Sequence, residues 1–256
     1  MDRWLLITST LFAAIGAAWG MISVNRGRRS LWTIVWMLGV FVCQFAFLGL
    51  RGKQHGTCPL IGYGEILVFL SWALTLFYLL VGSTYRISLL GVFTAPAVAV
   101  FQCIALLPGM LDEVPKKIEN GNFWHEIHSS TSVLAYGALA LSAVAGVMFL
   151  VLDRQLKEQH LKSGLFLNLP PIRTLLVSLE RLQRVGGGLL TLGIIAGFLM
   201  PRADHRVLAH LLAALAVWSG YVLLTIIKLT RGLTGRRQAL AVVILFILSL
   251  GVFAFV

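Results

Sequence analysis

Residues 128–152, HSSTSVLAYGALALSAVAGVMFLVL, contain no Asp, Glu, Lys or Arg and are apolar for most of their length. A helix needs about 20 such residues to cross a hydrocarbon core of roughly 30 Å. Within lipid, every backbone N–H and C=O must find a partner inside the segment, and a helix meets that requirement. The stretch therefore predicts a transmembrane helix headed by a histidine.

Comparable apolar runs recur along the chain of 256 residues, of which 58% are hydrophobic and only 12% are charged. A soluble domain carries about 25% charged residues, so the composition excludes an ordinary soluble fold. Strands of a membrane barrel would alternate apolar and polar residues over about ten positions, and these runs do not alternate. We predict an all-α polytopic membrane helical bundle that forms a single integral membrane domain over 1–256. About eight transmembrane helices are expected, at 4–24, 31–50, 63–82, 87–108, 128–152, 185–201, 207–228 and 239–256.

Lysine and arginine are concentrated on one side of the predicted bundle. If the N-terminus is outside, the inner connections hold 14 of these residues and the outer connections hold seven. Because cytoplasmic loops carry the excess of Lys and Arg, we expect the N-terminus and the C-terminus to be outside (N-out and C-out). The formal net charge of +11 then reflects this bias. No loop combines a basic patch with interleaved aromatic residues, so we expect no nucleic-acid partner.

The inner loop 153–184 contains an amphipathic stretch, NLPPIRTLLVSLERLQR at 168–184. Its proline pair suits the start of a helix, and Leu175, Leu179 and Leu182 recur at helical spacing. We expect a short helix at about 171–184 that lies in the inner membrane interface with its apolar face toward lipid. The alternative is that this segment extends the sixth transmembrane helix inward.

Histidines stand at the outer mouths of two predicted helices. With the N-terminus outside, the fifth helix enters the membrane at His128 and the seventh enters near His210, so the two lie at comparable depth. His125 and His205 lie in the adjoining outer segments and are further candidates. A histidine inside a membrane helix is costly and usually has a partner. The alternative is that each imidazole caps its helix or keeps its polar tip in water.

Each of the two histidines heads a stripe of small and aromatic residues on one face of its helix. Tyr136 follows His128 by eight residues, and Trp218 and Tyr221 follow His210 by eight and eleven. Such stripes suit a flat apolar ligand, and haem fits because a neutral imidazole binds its iron axially. We therefore predict a haem b site with His128 and His210 as axial ligands and the three aromatic residues as pocket walls.

Charged residues on the same side of the membrane extend this prediction. Arg202 and Arg206 are expected to pair with the haem propionates, as arginine does with carboxylates, and Arg51 and Lys53 are further candidates. Glu65 stands at the mouth of the third helix, and it is interpreted as a proton-relay or positioning group or as an interfacial charge. The chain contains no nucleotide-binding, serine-hydrolase or zinc-protease motif, so we expect no catalytic activity of its own.

Five stretches carry a further signal when they are taken in order. They are CPLIGYGEILVFLSWALTLFYLL (58–80), YRISLLGVFTAPAVAVF (85–101), IHSSTSVLAYGALA (127–140), LPPIRTLLVSLERLQRVGGGLLTLGIIAG (169–197) and LAHLLAALAVWSGYVLLTIIKLTRGLTGRR (208–237). Together they resemble the cytochrome c assembly membrane proteins of the CcsA/CcmC type, and most closely the smaller HemX-like and YpjD-like members.

The resemblance implies an eight-helix membrane protein that handles haem at the outer face, and it maps His128 and His210 onto family histidine positions. Members that deliver haem carry a long Trp-rich outer loop, whereas this chain has only MPRADHR at 200–206. The expected function is haem binding and handling in c-type cytochrome assembly, by translocation or delivery of haem, in the bacterial cytoplasmic (inner) membrane.

Two alternatives stay open: a HemX-like regulatory scaffold for tetrapyrrole biosynthesis, and a YpjD-like accessory protein of ion transport. The expected partners are membrane lipid, haem, and either a cytochrome c assembly protein or a haem-biosynthesis enzyme at the inner face.

Overall fold

The computed structural model describes residues 2–26, 31–56, 58, 60, 62–85, 88–111, 123–157, 172–200 and 205–251, without the side chains of 2, 82–85, 88–89, 172 and 205–211. Every regular element in this part of the chain is helical. The main helices are α1 (Asp2–Asn25), α2 (Trp32–His55), α3 (Tyr63–Tyr85), α4 (Ser88–Ala105), α5 (Phe123–Lys157), α6 (Ile172–Phe198), α7 (His205–Arg231) and α8 (Gly235–Ser249).

Several of these helices are long and apolar enough to cross a membrane. Among the described residues the qualifying segments are Arg3–Asn25, Trp32–His55, Tyr63–Val81, Phe123–Lys157 and Leu212–Arg231. A helix at each of the eight expected positions confirms the predicted polytopic helical membrane fold. The orientation of the helices across the membrane and the single domain remain predictions.

The chain folds into two compact units. Unit 1 comprises Met1–Gly121 and Gln155–Thr174, and unit 2 comprises Asn122–Arg154 and Leu175–Val256. In unit 1, α1 packs against α2 and α4, and α3 packs against the same two helices, so the four helices close into a bundle.

Small residues allow close helix packing in unit 1. A Cβ atom at Gly91 of α4 would lie 2.4 Å from the hydroxyl of Tyr78 on α3. Close packing of this kind holds membrane bundles together, because lipid provides little hydrophobic drive between helices.

Unit 2 is built on α5 to α8, which polar contacts join, and the positions paired by these contacts run in opposite directions along neighbouring helices, so these helices are antiparallel. The Ser142 hydroxyl on α5 donates to the Leu179 carbonyl on α6 at 2.9 Å. The Gln183 amide on α6 donates to the Thr225 hydroxyl on α7 at 3.2 Å. Arg236 at the start of α8 lies 4.0 Å from a carboxylate oxygen of Asp153 near the end of α5. This ion pair connects α8 with α5.

The prediction of a separate interfacial helix at 171–184 is wrong. Residue 171 lies outside the described residues, and from Ile172 the segment is continuous with the sixth span, which gives the single helix α6 and confirms the alternative. Leu175, Leu179 and Leu182 are at most 3% exposed. Leu179 contacts α5 through its carbonyl, and its side chain approaches Gly146. The apolar face of this segment is therefore covered by protein. A break in the helix, which would place this face against lipid, is not needed to bury it.

The boundaries of the predicted inner loop also change. Residues 153–157 belong to the last turns of α5, which ends at Lys157. On the polar face of α6, Glu180 forms an ion pair with Lys228 of α7. Residues 158–171 of the predicted loop lie outside the described residues.

Candidate functional site

His128 occupies a defined position near one end of unit 2. Its side chain is buried, and Nδ1 lies 2.7 Å from the carbonyl oxygen of Gly193 on α6. A carbonyl can only accept a hydrogen bond, so this contact assigns the ring proton to Nδ1. The lone pair of the neutral imidazole is then on Nε2. A histidine that binds a metal through one nitrogen usually donates its other N–H in this way.

Gly193 brings α5 and α6 close enough for this hydrogen bond. A Cβ atom at this position would lie 2.6 Å from the Ser132 hydroxyl and 3.2 Å from that of Thr131. The sequence reasoning did not identify Gly193 as a partner of His128. The glycine-rich composition of α6 indicates that another helix packs closely against it. It does not identify which helix or which residue lies there.

The backbone places His128, Gly193 and His210 at the same end of unit 2. His128 is five residues after the start of α5, Gly193 is five residues before the end of α6, and His210 is five residues after the start of α7. Because consecutive helices run antiparallel, these three ends coincide. The two histidines therefore lie toward the same end of unit 2, and their comparable depth remains a prediction. The side chain of His210 lies outside the described residues.

The side chains of three other predicted residues, Arg202, His205 and Arg206, also lie outside the described part of the structure. Arg202 lies outside the described residues, and the structure describes only the backbone of His205 and Arg206 at the start of α7. His125, one turn before His128 at the beginning of α5, has an exposed side chain.

The three predicted aromatic residues lie deeper in unit 2, and two of them form hydrogen bonds to neighbouring helices. The Tyr136 hydroxyl donates to the Ser249 carbonyl at the end of α8 at 3.2 Å. The Trp218 indole N–H donates to the Thr191 hydroxyl of α6 at 2.9 Å. Tyr221 is 2% exposed, and within the described residues its hydroxyl has no hydrogen-bond partner. The structure thus places two of these side chains in packing contacts between helices.

Unit 1 contains a group of buried ionisable side chains, at the end where α2 finishes and α3 begins. One carboxylate oxygen of Glu65 lies 2.8 Å from Nε2 of His55 and 3.5 Å from a guanidinium nitrogen of Arg51. We call these three residues the Arg51–His55–Glu65 cluster. All three are at most 3% exposed.

The predicted helix at 31–50 is too short, because α2 continues to His55 and so includes Arg51 and His55. Glu65 provides the charge and hydrogen-bond partner that allow these polar residues to be buried. Arg51 is paired with Glu65. This pairing opposes the expectation that Arg51 pairs with a haem propionate.

The model of a family described as Cytochrome C assembly protein matches residues 60–256. The chain belongs to the cytochrome c assembly protein family. The matched region contains the four helices α5 to α8, and it also contains Glu65 of α3. Arg51 and His55 precede the region.

The curated relatives of this family member include several proteins named "Cytochrome c biogenesis protein CcsA". The protein of Nostoc punctiforme is 33% identical over 116 residues, which is 44% of this chain and 33% of that protein. The protein of Microcystis aeruginosa is 28% identical over 169 residues, which is 63% of this chain and 50% of that protein. The chain therefore spans between a third and a half of the length of these relatives.

Proposed function

We propose that this family member binds haem at the His128 end of unit 2 and takes part in c-type cytochrome assembly in the bacterial cytoplasmic membrane. The family match and the names of the relatives support the assembly role. The observation that carries the haem site is the hydrogen bond from Nδ1 of His128 to Gly193. It holds the imidazole in the tautomer whose other nitrogen can bind a metal.

The residues present fit haem as a ligand. When bound, haem would supply an iron that imidazole nitrogens can ligate. In the proposed site His128 provides one of these nitrogens and His210 the other, since their backbones lie at the same end of two antiparallel helices. Arg202 and Arg206 follow α6 and begin α7 at that end, where they are proposed to pair with the propionates.

The aromatic residues are proposed to cover the deeper edge of the ring. The Trp218 and Tyr136 hydrogen bonds hold these side chains against α6 and α8, so that their positions are set before haem binds. The buried Tyr221 hydroxyl offers a polar group on the same stripe of α7. We propose haem b, bound without a covalent link, because the site is built from imidazole and aromatic side chains.

An absorption spectrum of the protein purified in detergent tests this proposal. We expect the Soret band of low-spin haem in the wild-type protein, and a loss or shift of that band in His128→Ala and in His210→Ala. His125→Ala is the matched control, because this exposed residue lies one turn away on the same helix. Haem with a spectrum unchanged by both substitutions would overturn the ligand assignment, and a purified protein that neither contains nor takes up added haem would overturn the site.

A further inference from the structure

The end of unit 2 opposite His128 carries a surplus of positive charge. In the described residues 153–154, 175–184 and 228–237, seven Lys and Arg side chains stand against two carboxylates. Both carboxylates have a basic partner within the unit. Glu180 forms an ion pair with Lys228, and a carboxylate oxygen of Asp153 lies 4.0 Å from Arg236. Positive charge therefore remains at this end after both carboxylates are counted.

Two arginines on either side of the connection between α7 and α8 contribute to this surplus. Arg231 is the last residue of α7, and Arg237 lies in the first turn of α8. We call these two residues the arginine pair. Both side chains are exposed, and neither forms an ion pair with a residue that the structure describes. The first turn of α8 also contains Arg236 and no acidic residue. Cations are disfavoured beside the positive end of a helix dipole, so a nearby anion would lower the electrostatic energy.

The connection that carries the arginine pair has a defined backbone. Gly232 adopts a left-handed conformation with a φ of 66°, and its N–H donates to the Lys228 carbonyl at 3.1 Å. A Cβ atom at Gly235 would lie 2.8 Å from the side chain of Leu176 on α6 and 2.9 Å from that of Phe149 on α5. The connection therefore packs against two other helices of unit 2, and this packing fixes the backbone from which both arginines project.

Each member of the arginine pair adjoins a row of exposed apolar side chains. On α8, Arg237 is followed along one helix face by the exposed side chains of Leu240, Ile244 and Ile247. On α7, Arg231 is preceded by the exposed side chains of Leu223, Ile226 and Leu229. A guanidinium group next to an exposed apolar row matches a ligand that has an anionic head and a hydrocarbon tail.

The arginine pair lies at the level of the lipid headgroups. The segment Leu212–Arg231 is long and apolar enough to cross a membrane, and Arg231 is its last residue. The polar headgroup region adjoins the hydrocarbon core on either side. A guanidinium group binds phosphate oxygens through two parallel N–H···O bonds. A phospholipid meets both conditions, because its phosphate and its acyl chains belong to one molecule.

We propose that the arginine pair binds the headgroup of an anionic phospholipid, whose acyl chains lie along the exposed apolar rows of α7 and α8. A headgroup with a net negative charge, such as phosphatidylglycerol, offsets part of the positive surplus. Phosphatidylcholine does so less, because its choline group restores a positive charge. Basic residues at the ends of membrane helices bind anionic lipids in this way. This interaction goes beyond the proposed haem function and uses no residue of the proposed haem site.

Native mass spectrometry of the full chain tests the proposal by counting the lipids that stay bound as the detergent is removed. The probes are phosphatidylglycerol and phosphatidylcholine with identical acyl chains. We expect the wild type to retain phosphatidylglycerol at lower lipid concentrations than phosphatidylcholine. Arg231→Gln combined with Arg237→Gln should weaken phosphatidylglycerol binding by about fivefold for each arginine, or roughly 25-fold together. Binding of phosphatidylcholine should stay the same, which verifies that the variant is folded.

The matched control is Arg181→Gln combined with Arg184→Gln, which also removes two exposed guanidinium groups from unit 2. Its affinity for phosphatidylglycerol should equal that of the wild type. An equal loss in both double variants would attribute the preference to overall charge and would overturn the proposal, as would equal retention of the two lipids by the wild type. Displacement of the lipid by inorganic phosphate or by polyglutamate would assign the arginine pair to a soluble anion or to an acidic protein segment, and would likewise overturn it. None of these readouts depends on haem, so failure here and failure of the haem site are distinguishable.

Discussion

At the scale of single residues, the site of unit 2 depends on a backbone atom. The side chain of His128 is identifiable from the sequence because histidine is rare at the mouth of an apolar helix. Its partner is the carbonyl of Gly193, and every residue has a carbonyl, so no pattern of residue types can indicate it. The close approach of α5 and α6 that brings this carbonyl within reach requires the tertiary structure.

Gly193→Ala tests the role of this close approach. The added methyl group would meet the Ser132 hydroxyl at 2.6 Å, so the two helices must separate or Ser132 must change rotamer. We expect a cost of about 1–3 kcal/mol from overpacking, together with weaker haem binding because the His128 hydrogen bond lengthens. Thermal unfolding and haem titration measure the two effects. Gly188→Ala is the control, since a Cβ there has no neighbour within 4 Å, and it should be neutral or gain up to ~1 kcal/mol of helix propensity. Equal behaviour of the two variants would contradict the contact.

The buried ion pair of unit 1 allows a second prediction for a single residue. Glu65→Gln removes the buried carboxylate that lies 3.5 Å from the Arg51 guanidinium. Loss of one partner from a buried pair leaves an uncompensated charge, and we expect a loss of roughly 3–5 kcal/mol in the free energy of unfolding. Arg51→Gln combined with Glu65→Gln should recover most of it, because neither ionised group then remains. Thermal unfolding of both variants measures this, and a double variant as unstable as Glu65→Gln would argue against the pair.

At the scale of elements, hydropathy predicts where apolar helices lie, and it fails where polar residues are buried in pairs. The eight predicted segments each coincide with a helix. Hydropathy predicts that α2 ends at residue 50, where the apolar run ends. The helix continues to His55, because Glu65 of α3 pairs with the polar side chains in the last turns of α2. The amphipathic pattern of 172–184 is the same whether its apolar face meets lipid or another helix. Only the packing against α5 decides between the two.

Leu179→Ala distinguishes these two environments of the first half of α6. Leu179 is fully buried, so its truncation leaves a cavity between helices and should cost about 2–5 kcal/mol. Leu192→Ala on the same helix is the matched control, because Leu192 is 55% exposed and its contacts can be replaced by lipid. Unfolding in mild detergent measures both. Similar small losses for the two variants would indicate that the segment lies on the lipid interface after all.

At the scale of the whole molecule, each unit is built on four helices and contains its own buried polar side chains. In unit 2 the histidine end is separated from the Asp153 end by the length of α5, 25 residues or roughly 37 Å at 1.5 Å per residue. In unit 1 the Arg51–His55–Glu65 cluster lies where α2 ends and α3 begins. The cluster and the proposed haem site therefore use different helices and can be altered separately by substitution.

The orientation of the molecule in the membrane is the remaining prediction. Because Lys and Arg are retained on the cytoplasmic side, the loop that contains Lys162 should be inside and the loop that contains Lys116 outside. We expect Lys116→Cys, in a variant without the native cysteines, to react in intact cells with a maleimide that cannot cross the membrane. Lys162→Cys should react only after the membrane is permeabilised. The reverse pattern would place the His128 end of unit 2 on the cytoplasmic side, where haem would be received from its site of synthesis instead of being presented outside.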